Sequence, residues 1–444
     1  MLQTAAVVVT ASAALVVGAC SDVEGAPQAS SAQPSSTSTE ESDGPTAGTA
    51  APGEEASSGR TSTGQGEGTA QTSSEEPVAA PTPTGPEPGS CAALAAELSP
   101  AAQVGQLFML GVSTESGVTP PVADALATTQ TGHALLLGDT QAGVDGVRAL
   151  TDALRATGDQ PDGVGLLVAA DQEGGQVQRL RGPGFDRMPS AVQQAQLPVD
   201  ELARRAEAWG GQLRAAGVDL DLAPVAGVVP PEFQGRNEPV GLLGRQYGPD
   251  TETVVPPASA FVAGMERAGV GTSVKHFPGL GRVEGNTDLA DGVVDVDTTR
   301  DDPALAAFGE VVDAGASSVM VATAVYDRID PGVPAAFSPV VVEEMLRGDL
   351  GYDGVVISDD LGVAAQVQSV PPGERATRFL QAGGDVVING DPAIHTAMVE
   401  ATLALVEQDP EVADAVETKA ARVLALKAGL GEGAGLADCT PDAR

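Results

Sequence analysis

Cysteine and histidine are scarce, with three of each in 444 residues, at Cys20, Cys91, Cys439 and at His133, His276, His395. Side chains that dispersed supply no zinc-ligand motif, so no metal site is expected, and no motif asks for a cofactor. Basic side chains are also few: 23 Lys and Arg stand against 61 Asp and Glu, a net charge of −38. Such an excess of acid repels phosphate backbones and anionic headgroups, which excludes nucleic-acid binding and polybasic attachment to a membrane. Aromatic rings are sparse, with Phe 8, Trp 1 and Tyr 3. Beyond the N-terminus no apolar run approaches the roughly 20 residues that cross a bilayer.

What is present begins with an address. Residues 1–19 are small and apolar, lack the usual basic start, and run directly into Cys20. The pattern predicts an export signal, and Val17-Gly18-Ala19-Cys20 resembles a bacterial lipobox, in which the Cys thiol takes a diacylglycerol. An ordinary cleaved secretory signal is the alternative. Residues 20–90 are rich in Ser, Thr, Gly, Pro and Glu; after Cys20 they contain no aromatic, Leu, Ile or Met. Such a segment cannot offset its chain entropy by burial, so it is expected to be a disordered tether. The protein is then expected to be exported, held to the cell membrane only by its lipid, and facing the cell wall. The folded domain covers residues 91–444, with a monomer as its expected state. Cys91 and Cys439 lie at its two extremes in an oxidising compartment, which predicts a disulfide between them.

Within the domain, apolar runs over residues 105–112, 133–139, 165–171, 219–225, 271–277, 317–324, 354–360 and 383–390 read as strands. Amphipathic stretches over 200–216, 303–315, 340–350 and 411–430 read as helices. Strands without polar alternation, separated by helices, form a parallel sheet covered on both faces. Eight such units close into an α/β fold of the (β/α)8 TIM type, a single domain. Asp171, Lys275, His276, Asp359 and Asp360 all fall at C-terminal strand ends, the face on which such barrels build active sites. His133 opens a strand and reads as structural, whereas His395 reads as solvated.

Asp171-Gln-Glu-Gly-Gly-Gln-Val-Gln-Arg179, the DLDLAPV run from Asp219, Gly244-Arg-Gln-Tyr-Gly248, Lys275-His-Phe-Pro-Gly279 and Ile357-Ser-Asp-Asp-Leu361 follow in order along the barrel. Together they resemble glycoside hydrolase family 3, in its branch of β-N-acetylhexosaminidases acting on cell-wall fragments. The resemblance implies a retaining exo-β-glycosidase that releases terminal N-acetylglucosamine from a small saccharide or wall glycan. Asp359 matches the nucleophile; Lys275, His276, Asp171 and Arg245 match hydroxyl-binding positions. Arg179 is a weaker candidate, equally able to pair with nearby carboxylates. Lys275 and His276 would keep Asp359 ionised, while Asp360 should point the other way. With so few aromatics, a pocket for one terminal sugar is expected, with Trp209, Tyr247 and Tyr326 as candidate platforms.

The chain departs from the family where the proton donor belongs. Relatives carry an Asp-x-His dyad on the loop after the fifth strand; here the loop reads Arg282-Val-Glu-Gly-Asn-Thr-Asp288. Asn286 stands in place of the Asp and Asp288 in place of the His, Leu280 replaces a second His, and Thr323 and Gly227 replace further polar residues. Asp288 is the candidate acid/base and Glu284 the alternative. If neither serves, the protein is a slow or non-catalytic binder of wall sugars; a β-glucosidase or β-xylosidase is the other alternative.

Overall fold

Eight parallel strands close into a barrel: β1 (Phe108–Ser113), β2 (His133–Leu137), β3 (Leu167–Ala170), β4 (Leu220–Asp221), β5 (Gly271–Phe277), β6 (Ser318–Val321), β7 (Val355–Asp360) and β8 (Val386–Asn389). Each pairs with its sequence neighbours, and β8 returns to β1 with Phe108 opposite Val387. The computed structural model describes residues 86–161, 163–430 and 436–441. The expected export signal, Cys20 and most of the tether lie outside the described residues.

All eight expected strands are present; the one over 271–277 matches in full, the first shifts to Phe108–Ser113, and the others are shortened. The strand expected over 219–225 is cut most, to two residues. Pro224 has no N–H to give to a ladder, and pairing resumes only as a single bridge between Val225 and Lys275. The helices follow the pattern: Val199–Ala215, a turn of 3-10 helix at Pro303–Leu305 leading into Ala306–Asp313, a π-helical Val340–Asp349 and Pro410–Gly429. Among the described residues no helix is long and apolar enough to cross a membrane.

The N-terminal end of the barrel is sealed by charges with structural partners. Lys427, 1% exposed, donates from Nζ to Gln106 Oε1 (2.6 Å) and to the carbonyls of Gly132 and Gly165 (both 2.9 Å). Burial pushes its ammonium down to about 7. Asp219 pairs with Arg155 at 2.6 Å, and the fully buried Asp385 pairs with Arg347 at 2.8 Å and with Arg422. Cys91 and Cys439 are joined by the expected disulfide, their Cα atoms 4.9 Å apart, which ties the first described helix (Cys91–Glu97) to the C-terminal segment.

His133 is buried beside the Phe108 carbonyl, 3.1 Å from its Nδ1, as a structural histidine. His395 corrects the expectation of a solvated side chain. It is fully buried against Phe108, with Nε2 2.6 Å from Thr131 Oγ1, and burial pushes its pKa down to about 4. The three aromatic platforms are corrected as well. Trp209 faces the core from its helix, Tyr247 donates to Gln194 Oε1 (2.9 Å), and Tyr326 donates to the Gly279 carbonyl (2.8 Å). All three rings are packed in the core rather than offered to a ligand.

Candidate active site

The C-terminal mouth gathers the reactive side chains. Asp171 follows β3, where the chain turns into a small hairpin pairing Gln172–Gly174 with Val177–Gln178. Gly174 and Gly175 adopt φ values of +102° and +58°, a turn that L side chains resist. Gln172 locks this hairpin with its amide, accepting from Leu180 N and donating to Leu180 O. Residues 171 and 173 therefore stand on the same side, and Glu173 joins Asp171 beneath the mouth.

Lys275, near the end of β5 and 1% exposed, meets both: its Nζ is 2.6 Å from Asp171 Oδ1 and 2.7 Å from Glu173 Oε1. Arg245 completes the set with a two-pronged pair, Nε to Glu173 Oε2 at 2.8 Å and Nη2 to Glu173 Oε1 at 2.6 Å. Its Nη1 donates to the Pro239 carbonyl at 2.7 Å. Two anions and two cations balance. Burial opposes ionisation of Glu173, but the adjoining Arg245 and Lys275 charges outweigh it and hold the carboxyl well below the usual range. Glu173 is thus a central site residue that the sequence reading passed over. Its signal was its even spacing from Asp171.

His276 is buried, with Nδ1 unpartnered among the described residues. Burial, reinforced by Arg245 and Lys275, holds its imidazole well below its ordinary pKa, so it is neutral. A second overlooked carboxyl is Asp221 on β4. It is fully buried, accepts Gln172 N at 2.9 Å, and is pushed up to about 8 by burial, with the carboxylates of Asp171 and Glu173 adding to the effect.

Asp359 and Asp360 close β7. Asp360 accepts backbone N–H groups from Gly362 (2.7 Å), Val363 (3.1 Å) and Gly390 (3.0 Å), so it caps the following loop and ties it to β8. Asp359 accepts Asp360 N at 2.9 Å. The expectation that Lys275 and His276 hold Asp359 ionised needs correction. Lys275 is already engaged by Asp171 and Glu173, and His276 is neutral. Burial, then the Asp288 carboxylate, outweigh the lowering that Lys275 still exerts and push Asp359 up to about 7.

Asp288 reaches this group from the loop after β5. It is open to solvent on one side, yet close enough to Arg245, Asp171, Lys275 and Arg179 to feel their charges; desolvation raises its pKa. Asn286 accepts Asp288 N at 3.0 Å and shapes the turn. Glu284, the alternative, is largely exposed and pairs with the exposed Arg236 at 2.7 Å. Arg179 pairs at the rim with Asp139 at 3.2 Å, and its N–H donates to the Asp171 carbonyl.

Chemically, the mouth offers two carboxyls of raised pKa, Asp359 within reach of the Asp288 charge, beside a neutral imidazole and a balanced ion cluster able to hydrogen-bond a polyol. Among the described residues no group of His, Cys, Asp and Glu is arranged to hold a metal ion. A cavity of about 880 Å³ opens at the other end of the barrel, lined among others by Gly271, Ser317, Val355, Arg422 and Leu430. It contains none of the mouth residues.

The Glycosyl hydrolase family 3 N terminal domain matches residues 101–426. A beta-hexosaminidase of Alkalilimnicola ehrlichii is 38% identical over 257 residues, which cover 54% of this chain and 68% of that protein. Among solved structures, the beta-N-acetylhexosaminidase from Beutenbergia cavernae is 48% identical with a TM-score of 0.72, covering 74% of this chain and 98% of its own. A glycoside hydrolase family 3 beta-N-acetylglucosaminidase from a Paenibacillus species is 28% identical with a TM-score of 0.67, covering 78% of this chain and 66% of its own.

Proposed function

The chain belongs to glycosyl hydrolase family 3, and from that premise we propose that it removes terminal β-linked N-acetylglucosamine from wall-type glycans, with retention, through a glycosyl-enzyme intermediate on Asp359. What supports this reading is the placement of Asp359 at the end of β7 beside the Lys275, Asp171, Glu173 and Arg245 cluster, with the Asp288 carboxylate near enough to raise its pKa. Retaining hydrolysis asks for two carboxyls in complementary protonation states, one ionised to attack C1 and one protonated to release the leaving oxygen. Repulsion between the two carboxylates favours a single proton shared by the pair. Burial favours that proton on Asp359 in the free protein; once it passes to Asp288, Asp359 attacks the anomeric carbon, the glycosidic bond breaks, and Asp288 protonates the departing oxygen. Asp288, now a carboxylate, then takes a proton from water, whose oxygen attacks C1 and frees Asp359.

Lys275, Asp171, Arg245 and the neutral His276 lie where they can hold the sugar's hydroxyls, with Glu173 fixing the two cations in place. Export and anchoring through Cys20 belong to the same proposal; the Cys91–Cys439 disulfide supports an oxidising destination. The test is a panel of aryl β-glycosides with wild type and Asp359→Ala. Strong preference for the 2-acetamido substrate and loss of turnover in the variant are expected. Equal silence of both proteins with retained sugar binding would leave a binding protein, and preference for glucosides or xylosides would move the specificity.

A further inference from the structure

The loop bearing Asp288 contains Gly285 and Gly292, and with nothing to hold it the carboxylate would sample many positions. Gln366 holds it on either side of Asp288, at Thr287 and at Val293. Gln366, 5% exposed, lies in the segment that follows Asp359. Its side-chain Oε1 accepts Val293 N at 2.8 Å and its Nε2 donates to Val293 O at 3.2 Å. Its backbone N donates to Thr287 O at 3.1 Å, and the neighbouring Ala365 N donates to the carbonyl of Asp288 itself at 3.3 Å. Thr287 and Val293 are both buried, so these bonds are shielded from water on either side of the exposed Asp288.

The segment that carries Gln366 is itself fixed. Arg375, 4% exposed, donates from Nη1 to the carbonyls of Leu361 (2.9 Å) and Gly362 (3.0 Å), and from Nε to the carbonyl of Val370 (2.7 Å). Asp360 caps its beginning through Gly362 N. A continuous path of covalent and hydrogen bonds therefore runs from Asp359 through the capped loop to Gln366 and on to both sides of Asp288.

We infer that Gln366 is a positioning residue that latches the Asp288 loop onto the segment after Asp359, setting proton donor and nucleophile against each other before a substrate arrives. The inference rests on Asp288 as the acid/base. A latch of this kind acts on protonation of the leaving group and leaves nucleophilic attack largely untouched. Small misplacements of a catalytic group are enough to lower its rate contribution many-fold.

The test uses the full chain and aryl N-acetyl-β-glucosaminides whose leaving groups run from dinitrophenyl, which departs without protonation, to phenyl, which needs it. Gln366→Met keeps the side-chain volume and removes both side-chain hydrogen bonds. Its kcat/KM is expected to fall by about tenfold or more on the phenyl substrate and by less than about threefold on the dinitrophenyl one, a fraction of the loss from removing the acid itself. Asp288→Asn, measured alongside, should show the same selectivity with a larger loss.

Equal slowing of both substrates by Gln366→Met, or none, overturns the latch. If Asp288→Asn is selective while Gln366→Met is not, the latch alone fails. If Asp288→Asn shows no selectivity, the acid/base reading fails and the latch falls with it. Should Gln366→Met not fold, Gln366→Glu, which keeps the acceptor for Val293 N, is read by the same comparison.

Discussion

Replacing Asp359 by Asn separates the chemistry of this carboxyl from its burden on the fold. In the native protein it keeps its proton up to about pH 7, because burial and the Asp288 carboxylate disfavour its charge, whereas an unperturbed Asp titrates near 3.8. The native state therefore binds the extra proton between those two values. The stability linked to this group is fully present below about pH 3.8 and is lost as pH rises through about 7. At about 1.36 kcal/mol for each pH unit between them, the loss reaches on the order of 4 kcal/mol at pH 8.

Asn cannot ionise, yet its carbonyl can still accept Asp360 N, so the variant escapes that loss while keeping the local geometry. Urea unfolding followed by the fluorescence of Trp209, the single tryptophan and a buried one, reads the difference directly. Asp359→Asn should match wild type near pH 4 and exceed it at pH 8 by a few kcal/mol, with turnover lost at both. A variant no more stable than wild type at pH 8, or more stable by the same amount at both pH values, would refute the reasoning.

The barrel was legible because its strands are short Val- and Leu-rich runs at helix-length intervals, a pattern set by burial on both faces. Strand ends were less so. The β4 run, DLDLAPV, reads as a strand over seven residues, and Pro224, with no N–H to donate, helps to cut its ladder short. At the site, Asp171, Lys275, His276 and Asp359 could be read as polar residues at the ends of otherwise apolar strands. Glu173 could have been found from its parity with Asp171. Asp221 could not, since an Asp within DLDLAPV gives no sign of which face it takes or what shares its cavity. The charge state of Asp359 is hidden from the sequence for a related reason. The resemblance suggested Lys275 as a neighbour, but whether that cation serves Asp359 depends on Glu173 and Asp171 reaching it first, which only three dimensions decide. His395 and Gln366 carry no spacing signal at all, because their partners lie far off in the chain, Thr131 for one and the 287–293 segment for the other.

Two further outcomes are expected from the same electrostatics. Asp288→Asn removes the carboxylate that helps to raise Asp359, so the acid limb of kcat/KM on a dinitrophenyl substrate should move to lower pH; an unmoved limb over pH 4–8 would show that the two carboxyls do not communicate. Glu173→Ala leaves Lys275 and Arg245 buried with Asp171 and the Pro239 carbonyl as their remaining partners. Breaking a buried pair in this way costs roughly 3–5 kcal/mol, visible as a lower urea midpoint near neutral pH. Glu173→Gln, which can still accept one hydrogen bond, should fall between the two. Because the neighbouring cations hold Glu173 below its ordinary value of 4.5, its stabilisation is full above that pH and is lost as pH falls further, so the deficit of the Ala variant should narrow only under acid conditions. Both variants should also raise KM, since the two cations lose the partner that fixes their orientation. Wild-type stability in Glu173→Ala would mean that Lys275 and Arg245 are held by something other than this carboxylate, and the site's architecture would then have to be rebuilt around Asp171.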